Sequence, residues 1–285
     1  MIKNYITRIV SAISPPLFYK ISYFHNRGRL PNFNKPKDLS EIWIKKVLDG
    51  NVNKLSHLAD KYEVRKYVEG KGLKVILSNL LGVYDNPYQI NFDTLPDKFA
   101  IKLNYGAGMN IICNNKAILN KENAIKQLKK WINGPKYSLS ETHYNFIPKK
   151  IIIEEYIDDG NGGFPIDYKF MCLNGKAICC LVCAGRESGH ADYLPYDLEW
   201  NPIFKWSKYP PLEFKPINKP KNFEEMVKIA QELASEIDLV RVDLFSNGSK
   251  IWFGEMTLTP SGCIFHRWSN QAMIDMGNIY LNDSI

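Results

Sequence analysis

From residue 238 to 257 the chain alternates apolar and polar positions twice. In the first run Val240, Val242 and Leu244 share one side, and Leu239, Arg241, Asp243 and Phe245 share the other. In the second, Phe253, Glu255 and Thr257 fall on one side. A period of two predicts strands at 238–246 and 250–257 and, by the same pattern, at 98–104, 109–113, 150–157, 166–173 and 176–184. A period near 3.6 predicts helices at 38–49, 57–70, 121–133, 222–236 and 268–281. Lys205 to Lys221, with prolines at 210, 211, 216 and 220, reads as a loop. Near the amino terminus Ile2, Tyr5, Ile6, Ile9, Val10 and Ile13 recur at helical spacing until Pro15-Pro16 interrupts them. Lys3 and Arg8 keep that run too short to span a membrane, and no small-residue cleavage site follows it. Such a helix docks on the body of the protein or lies at a membrane surface, and docking is the preferred reading. Helices and strands mixed in this order, without internal repeats, predict an α+β fold.

The two strands at 238–257 carry a parity condition. Asp243 and Glu255 share a face of one antiparallel hairpin only if opposed residue numbers have an even sum. A two-residue turn at Asn247-Gly248 would pair Ser246 with Ser249 and separate the two carboxylates. Either a three-residue loop, Asn247 to Ser249, pairing Ser246 with Lys250 and Arg241 with Glu255, or a bulge is therefore expected. Gly248 or a neighbour should take positive φ.

With 285 residues, 45% hydrophobic and 24% charged, the chain can bury a sizeable core, which excludes global disorder. A formal net charge of +7 suits anionic partners: a nucleotide, an acidic glycan or anionic lipid headgroups. Nucleic acid is not among them, because no helix-turn-helix, zinc-finger or RNP pattern is present and the lysines are dispersed. The six cysteines do not form a disulfide framework. Cys180 and Cys183 have C-x-x-C spacing but no second pair, and strand alternation points them apart, so buried reduced thiols in a cytoplasmic setting are expected. Five histidines without H-x-x-x-H spacing argue against a catalytic zinc; His190 and His266, near the candidate site, read as packing or surface residues.

Three stretches carry candidate chemistry. Arg241, Asp243 and Glu255 put a guanidinium and two carboxylates on neighbouring strands, a set suited to Mg²⁺ and a charged transition state, though equally a surface hairpin when read alone. Lys102 leaves a strand on its polar side just before Gly106 and Gly108, whose backbone can approach a phosphate closely; no Walker Gly-Lys-Ser/Thr follows. Ile151 to Gly160 is an apolar strand ending in Glu154-Glu155 and a Gly/Asn-rich break, which could read an adenine edge or be a buried strand with solvated acids at its exit.

Taken in order, these stretches resemble the ATP-grasp superfamily and, more closely, its TupA-like branch, associated with teichuronopeptide and other bacterial surface-polysaccharide synthesis. The landmarks are Leu58 to Arg65, Leu81 to Tyr84, Lys102 to Asn110, Glu154 to Ile157, Asp167 to Phe170, Arg241 to Asp243 and Phe253 to Pro260. The resemblance implies an ATP-grasp fold of two α+β subdomains clasping ATP: residues 1–57 a partly helical N-terminal segment, 58–150 the nucleotide lid, 151–285 the metal-bearing catalytic subdomain. It implies that Lys102 contacts the phosphates under a lid of Tyr105, Gly106, Gly108 and Met109. Glu154, Glu155 and Ile157 would frame the adenine, with Asp167 near the ribose and Lys169 and Arg186 facing the phosphates. Asp243 and Glu255 would hold Mg²⁺ and Arg241 would steady the transferring phosphate. Thr257 stands where many members of the superfamily have Asn, and its hydroxyl is the weaker metal ligand. The activity implied is ADP-forming carboxylate–amine ligation of a small-molecule amine, an amino acid, to an acidic sugar or glycan, in the cytoplasm or at the inner face of the membrane. A glycan kinase and a non-catalytic nucleotide-sensing or scaffold subunit are the alternatives.

Overall fold

The structure is a computed structural model that describes residues 14–134, 139–159, 163, 165–185, 192–211 and 216–283. Its helices are α1 (Pro15–Arg27), α2 (Leu39–Leu48), α3 (Ser56–Ala59), α4 (Val64–Gly70), α5 (Lys121–Ile132), α6 (Phe223–Ala234) and α7 (Asn270–Asn282). The strands are β1 (Leu80–Tyr84), β2 (Phe99–Leu103), β3 (Asn110–Cys113), β4 (Ile151–Glu155), β5 (Ile166–Leu173), β6 (Lys176–Ala184), β7 (Asp192–Tyr196), β8 (Leu239–Ser246) and β9 (Ile251–Thr257). They form two antiparallel sheets, ordered β1-β4-β2-β3 and β7-β6-β5-β8-β9. A chain division at residue 150 falls just before β4, so the first sheet takes one strand from the C-terminal side of it.

The second sheet is covered on both faces. Phe170, Val182, Val242 and Leu244 pack toward α6 in a core continuous with the interior of the first sheet. Met171, Leu173, Cys179 and Leu239 pack toward α1, α2 and α7. Asp167, Lys169, Arg241 and Asp243 lie on this second face, two residues further along the strands that carry the apolar cover. Sheet parity therefore places polar chemistry at one end of a face whose other end is a core. All six cysteines are buried free thiols.

The helical pattern expected from Ile2 to Ile13 lies outside the described residues; Pro15-Pro16, where that pattern breaks, opens a helix. Ser14 caps α1 through its side chain, and proline fits the first turn because the N–H it lacks would have no intrahelical partner there. The helix expected over 57–70 is two. Asp60 turns extended (φ −79°, ψ 110°), and its carboxylate accepts from the amides of Tyr62 and Glu63, breaking the run and restarting it as α4. Strands β1 and β7 were not expected; both are sheet edges, and β7 contains Pro195, which a central strand would not tolerate. Among the described residues no helix is long and apolar enough to cross a membrane.

Candidate active site

The second hairpin settles the parity condition through a bulge. Near its tip Ser246 pairs with Ile251 and Leu244 with Phe253, an odd sum; beyond Gly254, Asp243 pairs with Glu255 and Arg241 with Thr257, an even one. The connection runs over 247–250, with Gly248 at φ +88° and the Asn247 side chain accepting from the amides of Ser249 and Lys250. The three-residue loop and the pairing of Arg241 with Glu255 are thus not what forms. Phe253 also leaves the side of Glu255 and joins the core with Leu244. Gly254 is required by space: a Cβ there would sit 2.8 Å from the Asp243 carbonyl oxygen.

The bulge gathers a dense charge cluster. Arg241 grips Asp243 with two hydrogen bonds of 2.6 Å and reaches Glu255 at 3.2 Å and the Thr257 hydroxyl at 3.0 Å. Thr257 in turn donates to Glu255 at 3.0 Å, so its hydroxyl is an orienting group between the two. Lys169 bridges Asp243 and Asp167. Its own burial disfavours the ammonium, yet the two carboxylates outweigh that and raise its pKa; Arg241 is raised in the same way by Asp243. Burial pushes Glu255 toward neutrality, but Lys61, Arg241 and Lys169 pull it down to about 2, so it is a carboxylate at any ordinary pH. A single atom, Nη2 of Arg241, lies within hydrogen-bond distance of an oxygen of both Asp243 and Glu255. The two carboxylates therefore converge on one cationic position. Mg²⁺ asks for one or two carboxylates plus substrate phosphates, so this donor set fits it.

On the first sheet Lys102 occupies the polar side of β2 and donates to Glu154 at 2.8 Å. Glu154 is buried and also accepts from Arg65 and the Ser78 hydroxyl, both at 2.9 Å. Burial alone would raise its pKa, but Lys102, Ser78 and Arg65 together lower it. Glu154 is thus the counter-charge that positions Lys102. Glu155, whose side chain turns to the opposite face of β4, accepts from the Asn79 side-chain amide at 2.7 Å. It lines a cavity of about 350 Å³ with Ala100, Ile112, Tyr156, Ile157 and Phe245.

A second cavity of about 190 Å³ adjoins the first through the shared Lys102, Asn110 and Phe245. Its lining joins Lys61, Gly106, Gly108 and Met109 to Asp167, Lys169, Asp243 and Glu255. Gly106 and Gly108 take φ of +71° and +74°, a conformation open to glycine. Tyr105 is 3% exposed, packs in the core and is not part of the lining of this cavity. Asp167 lies on this cationic side, paired with Lys169. Arg186 and His190 lie outside the described residues. His266 is exposed by surface area but partly shielded by its neighbours, and that partial desolvation together with Arg267, Lys208 and Arg27 lowers its pKa.

Lys61 was not singled out by the sequence, and it links the two sheets. Its ammonium donates to the Gly106 carbonyl at 2.8 Å and lies 3.7 Å from Glu255, while its amide donates to the Asn104 carbonyl at 2.7 Å. Burial lowers its pKa. The available signal was the charged run Asp60 to Arg65, which reads as the solvated face of a helix until the break at Asp60 is known.

The family model described as TupA-like ATPgrasp matches residues 41–276. No curated protein sequence matches the chain. Similar solved structures include the D-alanine–D-alanine ligase of Bacillus anthracis, 14% identical, with a TM-score of 0.45 over 79% of this chain and 65% of that one. The corresponding ligase of Helicobacter pylori is 12% identical, with a TM-score of 0.44 over 80% and 58%. The ATP-grasp ligase PsnB, complexed with a phosphomimetic precursor variant, Mg and ADP, is 10% identical, with a TM-score of 0.47 over 86% and 66%. The chain thus spans about two thirds or less of the length of each of these three.

Proposed function

The chain belongs to the TupA-like ATP-grasp family, and from that premise we propose that it is an ATP- and Mg²⁺-dependent carboxylate–amine ligase. One observation carries the reading. A largely apolar cavity lined by the exit of β4 adjoins a polar one in which lysines from both sheets face Asp243 and Glu255. The first suits a purine between Ala100, Ile112 and Phe245, with backbone at Glu155 to Ile157 reading its edge. The second suits a polyphosphate. Lys102, Lys61 and Lys169 would supply positive charge, and the amides of the 105–109 loop would donate from above.

Asp243 and Glu255 would hold Mg²⁺, which when bound neutralises phosphate charge. Arg241, held between the same two carboxylates and oriented by Thr257, is placed to balance charge developing on the transferring phosphoryl group. In the proposed reaction a substrate carboxylate oxygen attacks the γ-phosphorus and ADP leaves. An amine then attacks the acyl phosphate carbon, loses a proton and expels phosphate, leaving an amide. The chain's residues mainly bind, orient and neutralise.

The acid is proposed to be a uronic acid and the amine an amino acid, in bacterial surface-polysaccharide synthesis on the cytoplasmic side. Precursors of such glycans are often lipid-linked, so peripheral contact with a membrane belongs to the same reading. The test is incubation with ATP, Mg²⁺ and a matrix of uronic acids and amino acids. ADP, phosphate and a new amide mass are expected, and Asp243→Asn should cut turnover by about a hundredfold or more while the protein stays folded. A stable phosphorylated sugar would replace the ligase by a kinase. AMP and pyrophosphate would contradict both, and nucleotide binding without product would leave a sensor.

A further inference from the structure

Helix α1 carries apolar side chains on both its inner and its outer side. Tyr19, Tyr23 and Arg27 point inward and are buried. Leu17, Ile21 and Phe24, at i, i+4 and i+7, form one outward stripe and are 48%, 54% and 53% exposed. Leu30, just past the helix, is 68% exposed. The helix is held firmly from its inner side: the Tyr23 hydroxyl donates to Asp38, and Arg27 donates to the carbonyls of Ile264, Phe265 and Trp268. Its outer side is an apolar ridge on a rigid support, with Lys20 and His25 exposed on its flanks.

Charge is distributed in the same direction. Residues 1–37 contain seven of the 37 Lys and Arg and none of the 30 Asp and Glu, so the whole formal charge of +7 belongs to this segment and the remainder is neutral. Arg27 is buried, and Arg29 is answered by Asp38 and Glu41. Lys20, one position before Ile21 on the same helix, is an exposed cation, and Lys35 and Lys37 further along the segment are exposed too.

We infer that the outward face of α1, Leu17, Ile21 and Phe24 with Leu30, is a docking surface for an anionic lipid bilayer. Apolar side chains at helical spacing would enter the headgroup–acyl boundary, and the exposed lysines would meet lipid phosphates. A second copy of the chain is the poorer occupant, because a two-fold contact through this face would set like charges against each other. The inference gives a surface to the membrane contact of the proposed function, and vesicle binding measured without nucleotide or substrate tests it separately from the ligase chemistry.

The experiment is co-sedimentation of the full chain with phosphatidylcholine vesicles, with and without phosphatidylglycerol. Binding is expected only to the anionic vesicles and should weaken as salt is raised. The triple variant Leu17→Glu, Ile21→Glu, Phe24→Glu should bind at least about tenfold more weakly, with an unchanged circular-dichroism melt because these side chains are exposed. No binding to either vesicle overturns the inference. So does binding that survives the triple variant, or self-association in sedimentation equilibrium that the variant abolishes.

Discussion

At the scale of single residues, parity located much of the site and distance hid the rest. Alternation alone put Lys102 on the polar side of its strand and Arg241 with Asp243 on one face, and the fold has both there. It could not say which of Glu154 and Glu155 turns inward, because the partners that decide it, Arg65 and Ser78, lie 89 and 76 residues away in sequence. Lys102→Ala leaves Glu154 with both of those partners, so the variant should fold. Loss of a charge-assisted contact to phosphate should weaken ATP affinity by about tenfold or more. Calorimetric titration giving the same dissociation constant for both proteins would remove Lys102 from the nucleotide site. His143 supports a prediction about pH. It is fully buried, neither ring nitrogen has a hydrogen-bond partner among the described residues, and burial lowers its pKa to about 4. The unfolded chain therefore binds a proton below about 6.5 that the folded chain refuses until about 4. Stability is full above that window and falls as pH drops through it, by roughly 3 kcal/mol in the limit. His143→Phe should flatten the loss when urea unfolding is followed from pH 7 to pH 4; an unchanged slope would place the titration elsewhere.

Among elements, β9 shows most clearly what local patterning can and cannot give. Both strands of the hairpin and the face of each carboxylate were legible, and so was the conflict between an Asn-Gly tip and a shared face. The resolution was not legible. A bulge at Gly254 depends on the Asp243 carbonyl across the ladder, which no window on β9 contains. Gly254→Ala would push a methyl to 2.8 Å from that oxygen and 3.1 Å from the ring of Phe245. The ladder would have to open or the bulge move. A destabilisation of about 1–3 kcal/mol is expected in urea unfolding, with loss of Mg²⁺-dependent nucleotide binding as Glu255 leaves Asp243. Wild-type stability with intact binding would mean that the bulge does not set the register. The missed strands β1 and β7 follow from edge position: half-buried side chains in one and a proline in the other erase the alternation that marks a central strand.

For the whole molecule, the segment before residue 50 matters as a clamp on the chain that follows β9. That chain turns through left-handed backbone at Ser261, Gly262, Cys263 and Phe265, conformations that non-glycine residues hold only under constraint. The constraint comes from the other end of the sequence. The Trp43 indole donates to the Leu258 carbonyl at 2.6 Å and the Ser40 hydroxyl donates to that of Cys263. Arg27 spans the carbonyls of Ile264, Phe265 and Trp268 at 2.9, 3.0 and 2.7 Å. Sequence periodicity treats both segments as local and cannot show that one supplies the donors the other needs. Burial lowers the Arg27 pKa and the nearby Asp38 carboxylate works against that, while the three carbonyls accept from its guanidinium. Arg27→Met keeps the apolar stem but leaves those carbonyls without their donor, and the expected loss is about 2–4 kcal/mol. Because the clamp joins the N-terminal helices to the second sheet, unfolding should also remain a single event. Tryptophan fluorescence, to which three of the six tryptophans (Trp43, Trp206 and Trp268) contribute from that interface, should change together with circular dichroism in the wild type. In Arg27→Met the fluorescence change should come first, as the N-terminal helices part from the turn. Coincident transitions at wild-type urea concentration in the variant would show that the N-terminal segment rides on the fold without holding it.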